Sequence, residues 1–209
     1  STGDVEVKSD GEGQDCQNGH LGEVKIMDGQ DLQEFEVGLF DDNVYQAEKS
    51  FMLYLSDGSG HIVQSISDEL NSTVVTILDD GDAGTFEFSS TSFSGSEDSG
   101  KIGVTITRVG GSSTAVTIAY STTPVDADGS DYTSETATTL LFGDGETKKV
   151  VGIAITNDTV YEEDEVFNVS LVSVSGGGHI GSLSTTQVTI TDDGDAGTFE
   201  VAASTFSGS

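Results

Sequence analysis

The sequence has very few basic residues, and this scarcity excludes several classes of protein. Its 209 residues include 7 lysines and arginines against 37 aspartates and glutamates, which gives a formal net charge of −30 at pH 7. A field of that sign repels phosphate backbones and anionic lipid headgroups. We therefore expect the chain to bind no nucleic acid and to make no direct contact with a membrane.

Cysteine, tryptophan and long apolar runs are also scarce or absent. The single cysteine, Cys16, cannot form a disulfide within the chain, so cysteine pairing does not indicate a compartment. The longest apolar stretch, residues 150–155, is far too short to span a bilayer. Hydrophobic residues make up only 34% of the chain, and they occur in short alternating runs. That pattern is typical of β-strands that bury one face.

An internal repeat organises the chain. Residues 79–87 recur as residues 192–200, an offset of 192 − 79 = 113, and residues 42–45 correspond to 158–161 at an offset of 116. A period of this length indicates domains in series rather than a solenoid with a shared core. We expect three parts: a partial repeat lacking its first strands at 1–81, a complete repeat at 82–195, and the first strand of a third repeat at 196–209.

Seven segments of the complete repeat show two-residue alternation, separated by turns rich in glycine and aspartate. This number of short strands in about a hundred residues favours an all-β fold, a seven-stranded Greek-key sandwich of immunoglobulin-like shape. The tryptophan and paired cysteines of antibody domains are missing. The predicted strands cover residues 85–93, 101–109, 115–122, 138–142, 147–156, 165–173 and 185–191.

Acidic residues concentrate at one end of the predicted sandwich. If successive strands run up and down, the connections after the first, third and fifth strands meet the residues that follow the seventh. Uncompensated like charges repel, and Ca²⁺, which takes roughly six to eight oxygen ligands from flexible loops, would remove that cost. The opposite end carries only Asp144 and Glu146. The acids of the crowded end are Glu97, Asp98, Asp126, Asp128, Asp131, Asp158, Glu162, Glu163, Asp164, Glu165, Asp192, Asp193 and Asp195.

Other uses of these residues are less well supported by the sequence. A solvated acidic surface without metal is the main alternative, but its acids should spread over both ends. Zinc is disfavoured because His61 and His179 occupy equivalent positions away from the acids. No nucleophile is paired with an oriented base, so we predict that the chain is not an enzyme.

Four motifs, in this order, resemble the Calx-beta domain. They are Gly129-Ser130-Asp131-Tyr132, residues 141–146, residues 157–167 and residues 188–193, which end in two aspartates. This family includes regulatory calcium-binding domains of sodium/calcium exchangers, modules in integrin beta-4 and arrays in large adhesion and surface proteins. The resemblance spans the complete repeat and the later two-thirds of the partial one.

The resemblance implies a calcium site in the loops of the complete repeat. Asn157 stands where the exchanger has an aspartate, and Gly194 stands where a third consecutive aspartate would be, with Asp195 as its substitute. In the partial repeat Gln46 and Lys49 replace the two glutamates of the fifth connection, so its site is expected to be impaired. The implied ligands are Glu97, Asp131, Asn157, Asp158, the carbonyl of Val160, Glu162, Glu165, Asp192, Asp193 and Asp195.

These features predict a rod-like structural or adhesive segment of a large extracellular or cell-surface protein. Calcium is the expected cofactor, and it would stiffen the junctions between repeats, which would otherwise bend at Gly81 and Gly84. Expected partners are adjacent repeats of the same chain, other surface or matrix proteins, and like chains in a filament. Two alternatives stay open: a regulatory calcium sensor of a membrane transporter, and a calcium-independent acidic stalk or filament subunit.

Overall fold

The structure is a computed structural model that describes residues 4–9, 19–25, 32, 34–56 and 72–197. The chain divides into two compact units, Ser1–Asp80 and Gly81–Ser209. Within these described ranges, no helix is long and apolar enough to cross a membrane. The strand predicted for a third repeat lies almost wholly outside the described residues and stays a prediction.

The first unit contains an antiparallel sheet of four strands. They are β1 (Asp4–Ser9), β2 (Gly19–Lys25), β3 (Lys49–Ser56) and β4 (Ser72–Ile77), and their order across the sheet is β2-β1-β3-β4. The two-residue period of β3 buries Phe51 and Leu53 on one face. These two side chains pack against Val37, Val75 and Ile77, which gives the unit a small apolar core of its own.

The second unit is a sandwich of two sheets, which confirms the all-β fold class. Its strands are β5 (Thr85–Phe88), β6 (Ser92–Ser96), β7 (Lys101–Val109), β8 (Val116–Pro124), β9 (Thr138–Phe142), β10 (Lys148–Ala154), β11 (Glu165–Val174), β12 (His179–Ile180) and β13 (Thr185–Thr191). One sheet has the order β10-β7-β5-β12 and the other β6-β13-β11-β8-β9. Between the sheets, Phe86 and Phe142 meet edge to face with ring centroids 5.0 Å apart.

The first predicted strand of the complete repeat, residues 85–93, is wrong as a single strand. The chain crosses from one sheet to the other at residues 89–91, so β5 pairs with β7 while β6 runs parallel to β13. This crossing positions the site, because Ser96 at the end of β6 lies opposite Thr191 at the end of β13. Glu97, the next residue after β6, therefore lies beside the acidic segment that follows β13.

Arg108 holds the opposite end of the sandwich together. Its side chain is only 2% exposed, and its Nε donates to the carbonyl of Ala83 at 2.9 Å. The two Nη atoms donate to the carbonyls of Gly143 at 3.2 Å, Ser113 at 2.5 Å and Thr114 at 3.0 Å. Burial lowers the pKa of Arg108. Two turns and the segment that leads into β5 are thus tied to one guanidinium.

Gly84 is packed too closely to act as a hinge. It has a φ of 76°, and a Cβ placed there would lie 2.2 Å from the carbonyl oxygen of Gly111. Its amide donates to the carbonyl of Gly81 at 2.7 Å, and its own carbonyl accepts from the amide of His179 at 3.0 Å. The prediction that the chain bends at Gly84 is therefore wrong, and bending at Gly81 stays a prediction.

Candidate metal centre

The acidic loops of the second unit meet at one end of the sandwich. Their carboxylates form two groups, and within each group one oxygen from every residue lies within 4.8 Å of the others. The first group joins the turn after β6 to the segment after β13. The second joins the β8–β9 connection to the start of β11. The groups are Glu97 with Asp193 and Asp195, and Asp131 with Glu162 and Glu165.

Glu97 is the most buried acid of this end. It opens a short 3-10 turn, Glu97–Ser99, and its side chain is only 3% exposed. Its Oε1 is buried and has no hydrogen-bond partner. Burial raises the pKa of Glu97, and the negative charges of Asp193 and Asp192 raise it further. A buried carboxylate oxygen without a hydrogen-bond donor or a cation is unfavourable, which makes this oxygen a candidate metal donor.

The second group contains a carboxyl with a strongly shifted pKa. Burial, a hydrogen bond to the Asp131 carboxyl and the charges of Asp131 and Glu162 raise the pKa of Glu165 to about 7. The Oε2 atom of Glu165 is buried without a hydrogen-bond partner. Asp131 is itself buried, and its Oδ2 accepts from the amide of Asp128 at 2.6 Å. Acids this close favour either a shared proton or a bound cation.

Backbone contacts and one aromatic pair fix the loops that carry the second group. The amide of Thr156 donates to the carbonyl of Asp131 at 2.8 Å, which joins the β8–β9 connection to the residues after β10. Tyr132 stacks on Phe167 of β11, with ring centroids 4.0 Å apart and planes 11° apart. The apolar stack holds Asp131 over the start of β11, where Glu165 lies.

Asp158 and Asp192 link the two groups electrostatically. Their negative charges raise the pKa of both Glu97 and Glu162, although burial is the larger cause for each. The Oδ1 of Asp192 accepts from the amide of Glu162 at 3.2 Å, and its Oδ2 accepts from the amide of Gly194 at 2.9 Å. Asp192 thereby holds the loop before β11 against the residues that leave β13.

Two of the ligands implied by the resemblance lie on the exposed loop before β11. Asn157 is exposed, and the side chain of Val160 is 59% exposed. The amide of Val160 donates to the Oδ1 of Asp158 at 2.7 Å, which closes a tight turn. The roles of Asn157 and Val160 as ligands stay predictions.

Asp126 and Asp128 have supporting roles at this end that their place among its acids did not predict. Asp126 Oδ1 accepts from the amide of Val166 at 2.5 Å, which ties the β8–β9 connection to β11. Asp128 Oδ1 accepts from the Oγ of Ser130 at 2.6 Å and from its amide at 2.7 Å, and these bonds lower the pKa of Asp128. The Asp-Gly-Ser sequence is typical of such a turn and could have indicated it.

The donor set fits a hard cation. Every member of the two groups offers carboxylate oxygen, the ligand atom that Ca²⁺ prefers. Among the described residues, no lysine or arginine forms an ion pair with these acids, and the pair of Lys149 with Glu146, at 2.9 Å, lies at the opposite end. The two groups could therefore hold metal ions, with the partnerless oxygens of Glu97 and Glu165 as donors.

Comparison with known domain families identifies the fold. The Calx-beta domain matches residues 9–81 and 79–194. The chain belongs to the Calx-beta family. The second match contains every residue of the two carboxylate groups except Asp195. Calx-beta domains are structural or regulatory binding modules, and the two matched segments lie in tandem.

The chain is similar to single segments of much longer proteins. It is 27% identical over 199 residues to human extracellular matrix organizing protein FRAS1, covering 90% of this chain and 5% of that protein. It is 30% identical over 164 residues to rat sodium/calcium exchanger 2, covering 72% of this chain and 18% of the exchanger. The crystal structure of the Calx CBD2 domain matches with a TM-score of 0.50 at 21% identity, covering 54% of this chain and 89% of that domain. This last likeness concerns the fold.

Proposed function

We propose that the chain is a calcium-binding tandem module in which the ion joins the acidic loops of the second unit to the residues that leave β13. Glu97 carries the proposal, because its buried Oε1 has no partner and lies in a group with Asp193 and Asp195. Bound calcium would have a structural role, in which its positive charge offsets the negative charges of the loops. Its effect would be to hold three loops and the end of β13 together.

Asp195 extends this proposal to the junction with the following repeat. At the offset of 113, Asp195 corresponds to Asp82, whose carbonyl accepts from the amide of Ser113 at 3.0 Å inside the second unit. By the same register, the main chain of Asp195 would pack on the body of the next repeat. Its carboxylate belongs to the first group of the second unit. An ion bound there would fix the direction in which the chain leaves.

The turn that follows β13 supports this register. The amide of Gly197 donates to the carbonyl of Gly194 at 2.9 Å, as the amide of Gly84 donates to the carbonyl of Gly81 at 2.7 Å. The same turn thus forms at the start of the second unit and at residues 194–197, where we propose that the following repeat begins. We propose that calcium stiffens this junction in a rod-like segment.

The setting we propose is extracellular or at the cell surface, which the likeness to an extracellular matrix organizing protein supports. Other surface or matrix proteins, or like chains in a filament, would be its partners. A regulatory calcium sensor of a membrane transporter is the second candidate, which the likeness to a sodium/calcium exchanger supports. Affinity separates the two, since sensors bind calcium at micromolar levels or below and extracellular modules bind near millimolar.

Calorimetric titration of the whole chain with calcium tests the binding. We expect at least one ion per chain, and the Glu97→Gln variant should bind it roughly tenfold to a hundredfold more weakly because a buried ligand charge is lost. Glu146→Gln at the opposite end is the matched control and should bind like the unmodified chain. Equal calcium binding by both variants would remove Glu97 from the site, and absence of binding in the unmodified chain would overturn the proposed function.

A further inference from the structure

The first unit reproduces part of the scaffold of the metal centre without its glutamates. In the second unit the amide of Val160 donates to the Oδ1 of Asp158 at 2.7 Å. In the first unit the amide of Val44 donates to the Oδ1 of Asp42 at 2.8 Å. Both pairs are related by the offset of 116. The turn that begins the acidic loop is therefore the same in both units.

The contact between this loop and the end of the last strand is also reproduced. The amide of Gln46 donates to the Oδ1 of Asp79 at 3.1 Å, as the amide of Glu162 donates to the Oδ1 of Asp192 at 3.2 Å. Both loops thus adopt the arrangement that brings an acidic turn against the aspartate after the last strand. This agreement makes the side chains at the remaining positions directly comparable.

Lys49 and Gln46 occupy the positions of Glu165 and Glu162. The Nζ of Lys49 donates to the Oε1 of Gln46, and the Nε2 of Gln46 donates to the Oδ2 of Asp42 at 3.1 Å. An ammonium, an amide and a carboxylate therefore follow one another across the loop. The two side chains change the charge at these positions from −2 to +1 relative to the second unit.

We infer that Lys49 is the resident cation of the first unit and takes the place of the metal ion, with Gln46 connecting its charge to Asp42. This inference rests on the proposed calcium site of the second unit, whose scaffold the first unit shares. An ammonium donates up to three hydrogen bonds and is covalently attached, so it cannot be released as calcium falls. The acidic loop of the first unit is held at all calcium concentrations, and the calcium response of the chain belongs to the second unit.

A variant that restores both glutamates in the first unit tests the inference through a gain of calcium binding. In the whole chain, Gln46→Glu combined with Lys49→Glu restores both glutamates on a scaffold that is already formed. Equilibrium dialysis with calcium should then show at least one additional ion per chain. Glu162→Gln combined with Glu165→Lys is the reciprocal variant, and it should lose the ion held by the group of Asp131, Glu162 and Glu165. Unchanged stoichiometry in the converted chain would overturn the inference.

Removal of the Lys49 charge alone gives a second test, which does not require a new calcium site to form. In calcium-free buffer, Lys49→Met should speed proteolytic cleavage within residues 34–56 by roughly twofold to fivefold, the range for exposed charged contacts. Excess calcium should not restore protection. Lys148→Met, at an exposed position in β10, is the control and should leave this cleavage unchanged. Equal cleavage of the two variants would contradict a role for the Lys49 ammonium.

Failure of this inference differs from failure of the proposed function. If the unmodified chain binds no calcium but the converted chain binds one ion, the proposed function is wrong and the assignment of Lys49 stands. If the chain that carries Glu162→Gln and Glu165→Lys still binds calcium through residues 41–49, the first unit has a metal site and the assignment of Lys49 is wrong. Mapping of calcium-protected peptides by mass spectrometry locates the ion in either case.

Discussion

Glu97 illustrates how a single buried side chain indicates a binding site. A carboxylate that is almost fully buried needs hydrogen-bond donors or a cation, and its Oε1 has no hydrogen-bond partner. The Ser-Glu-Asp-Ser sequence gives no local signal that Glu97 is buried while Asp98 is exposed. The difference depends on the tertiary fold: β6 runs parallel to β13, so Glu97 follows beside the acidic segment after β13 and is buried, whereas Asp98 is exposed. Only the resemblance to a known family indicated the right acid in advance.

The stability of the calcium-free chain should depend on pH through Glu165. Its folded pKa of about 7 lies above the ordinary value of 4.5, so its contribution is fully present below pH 4.5 and is lost as the pH rises through about 7. We expect the melting temperature of the second unit in chelator to fall between about pH 5 and about pH 8. Burial also raises the pKa of Glu97 and Glu162, which adds to this trend.

Glu165→Gln is the variant that isolates this effect. The exposed acids Asp128 and Glu146 have lowered pKa values and act in the opposite direction, so the overall slope alone is not decisive. The variant should flatten the fall of melting temperature with pH and melt higher than the unmodified chain at about pH 8. A slope that is identical in both proteins would contradict the raised pKa of Glu165.

At the level of strands, local periodicity predicted most strands of the second unit. It failed where pairing between distant segments decides where a strand begins and ends. Residues 101–109, 138–142 and 185–191 were predicted with the bounds that the structure has. The break at residues 89–91 was missed because the strand was continued to Phe93, although the alternation of Phe86 and Phe88 ends in a polar run and Phe93 is out of phase with it. The two-residue strand β12 was missed because it exists only through its parallel pairing with β5. The change of sheet at residues 89–91 is also decided by such pairing, although the polar run of residues 89–92 is a local signal of a break.

The segment leading into β5 should tolerate no side chain at Gly84. Gly84→Ala adds a Cβ about 2.2 Å from a backbone oxygen and also strains a left-handed residue, so we expect a loss of roughly 2–4 kcal/mol in the free energy of unfolding. Gly110→Ala is a close control, because Gly110 has a similar φ of 79° and open space around it. That variant should lose about 1–2 kcal/mol in chemical denaturation. Equal losses would show that close packing at Gly84 contributes nothing.

Across the whole molecule, we expect the two units to respond differently to calcium. The repeat places the same acidic turn in both, but glutamates complete it in the second unit and Gln46 with Lys49 complete it in the first. The sequence indicated this difference at the level of residue types. It could not show that the second unit's acids divide into two groups, because that division depends on which loops meet in space.

Small-angle scattering tests whether the ion acts on the junction. In a chain extended to three complete repeats, calcium should narrow the distribution of maximum dimensions, because Asp195 would be drawn to Glu97 and Asp193. Glu162→Gln with Glu165→Gln in the middle repeat should weaken this change. If the maximum dimension and the angular spread are the same with and without calcium, the ion does not stiffen the junction, even if it binds.

Amide hydrogen exchange of the whole chain, with and without calcium, tests the central claim most directly. The claim is that one end of the second unit binds calcium and that the first unit does not. We predict calcium-dependent protection in peptides covering residues 94–100, 125–132, 157–166 and 191–197, because the ion would hold these segments together. Peptides covering residues 41–49, 110–114 and 143–147 should exchange equally in both conditions. Protection absent from the first set, or equally strong in the second, would contradict the account.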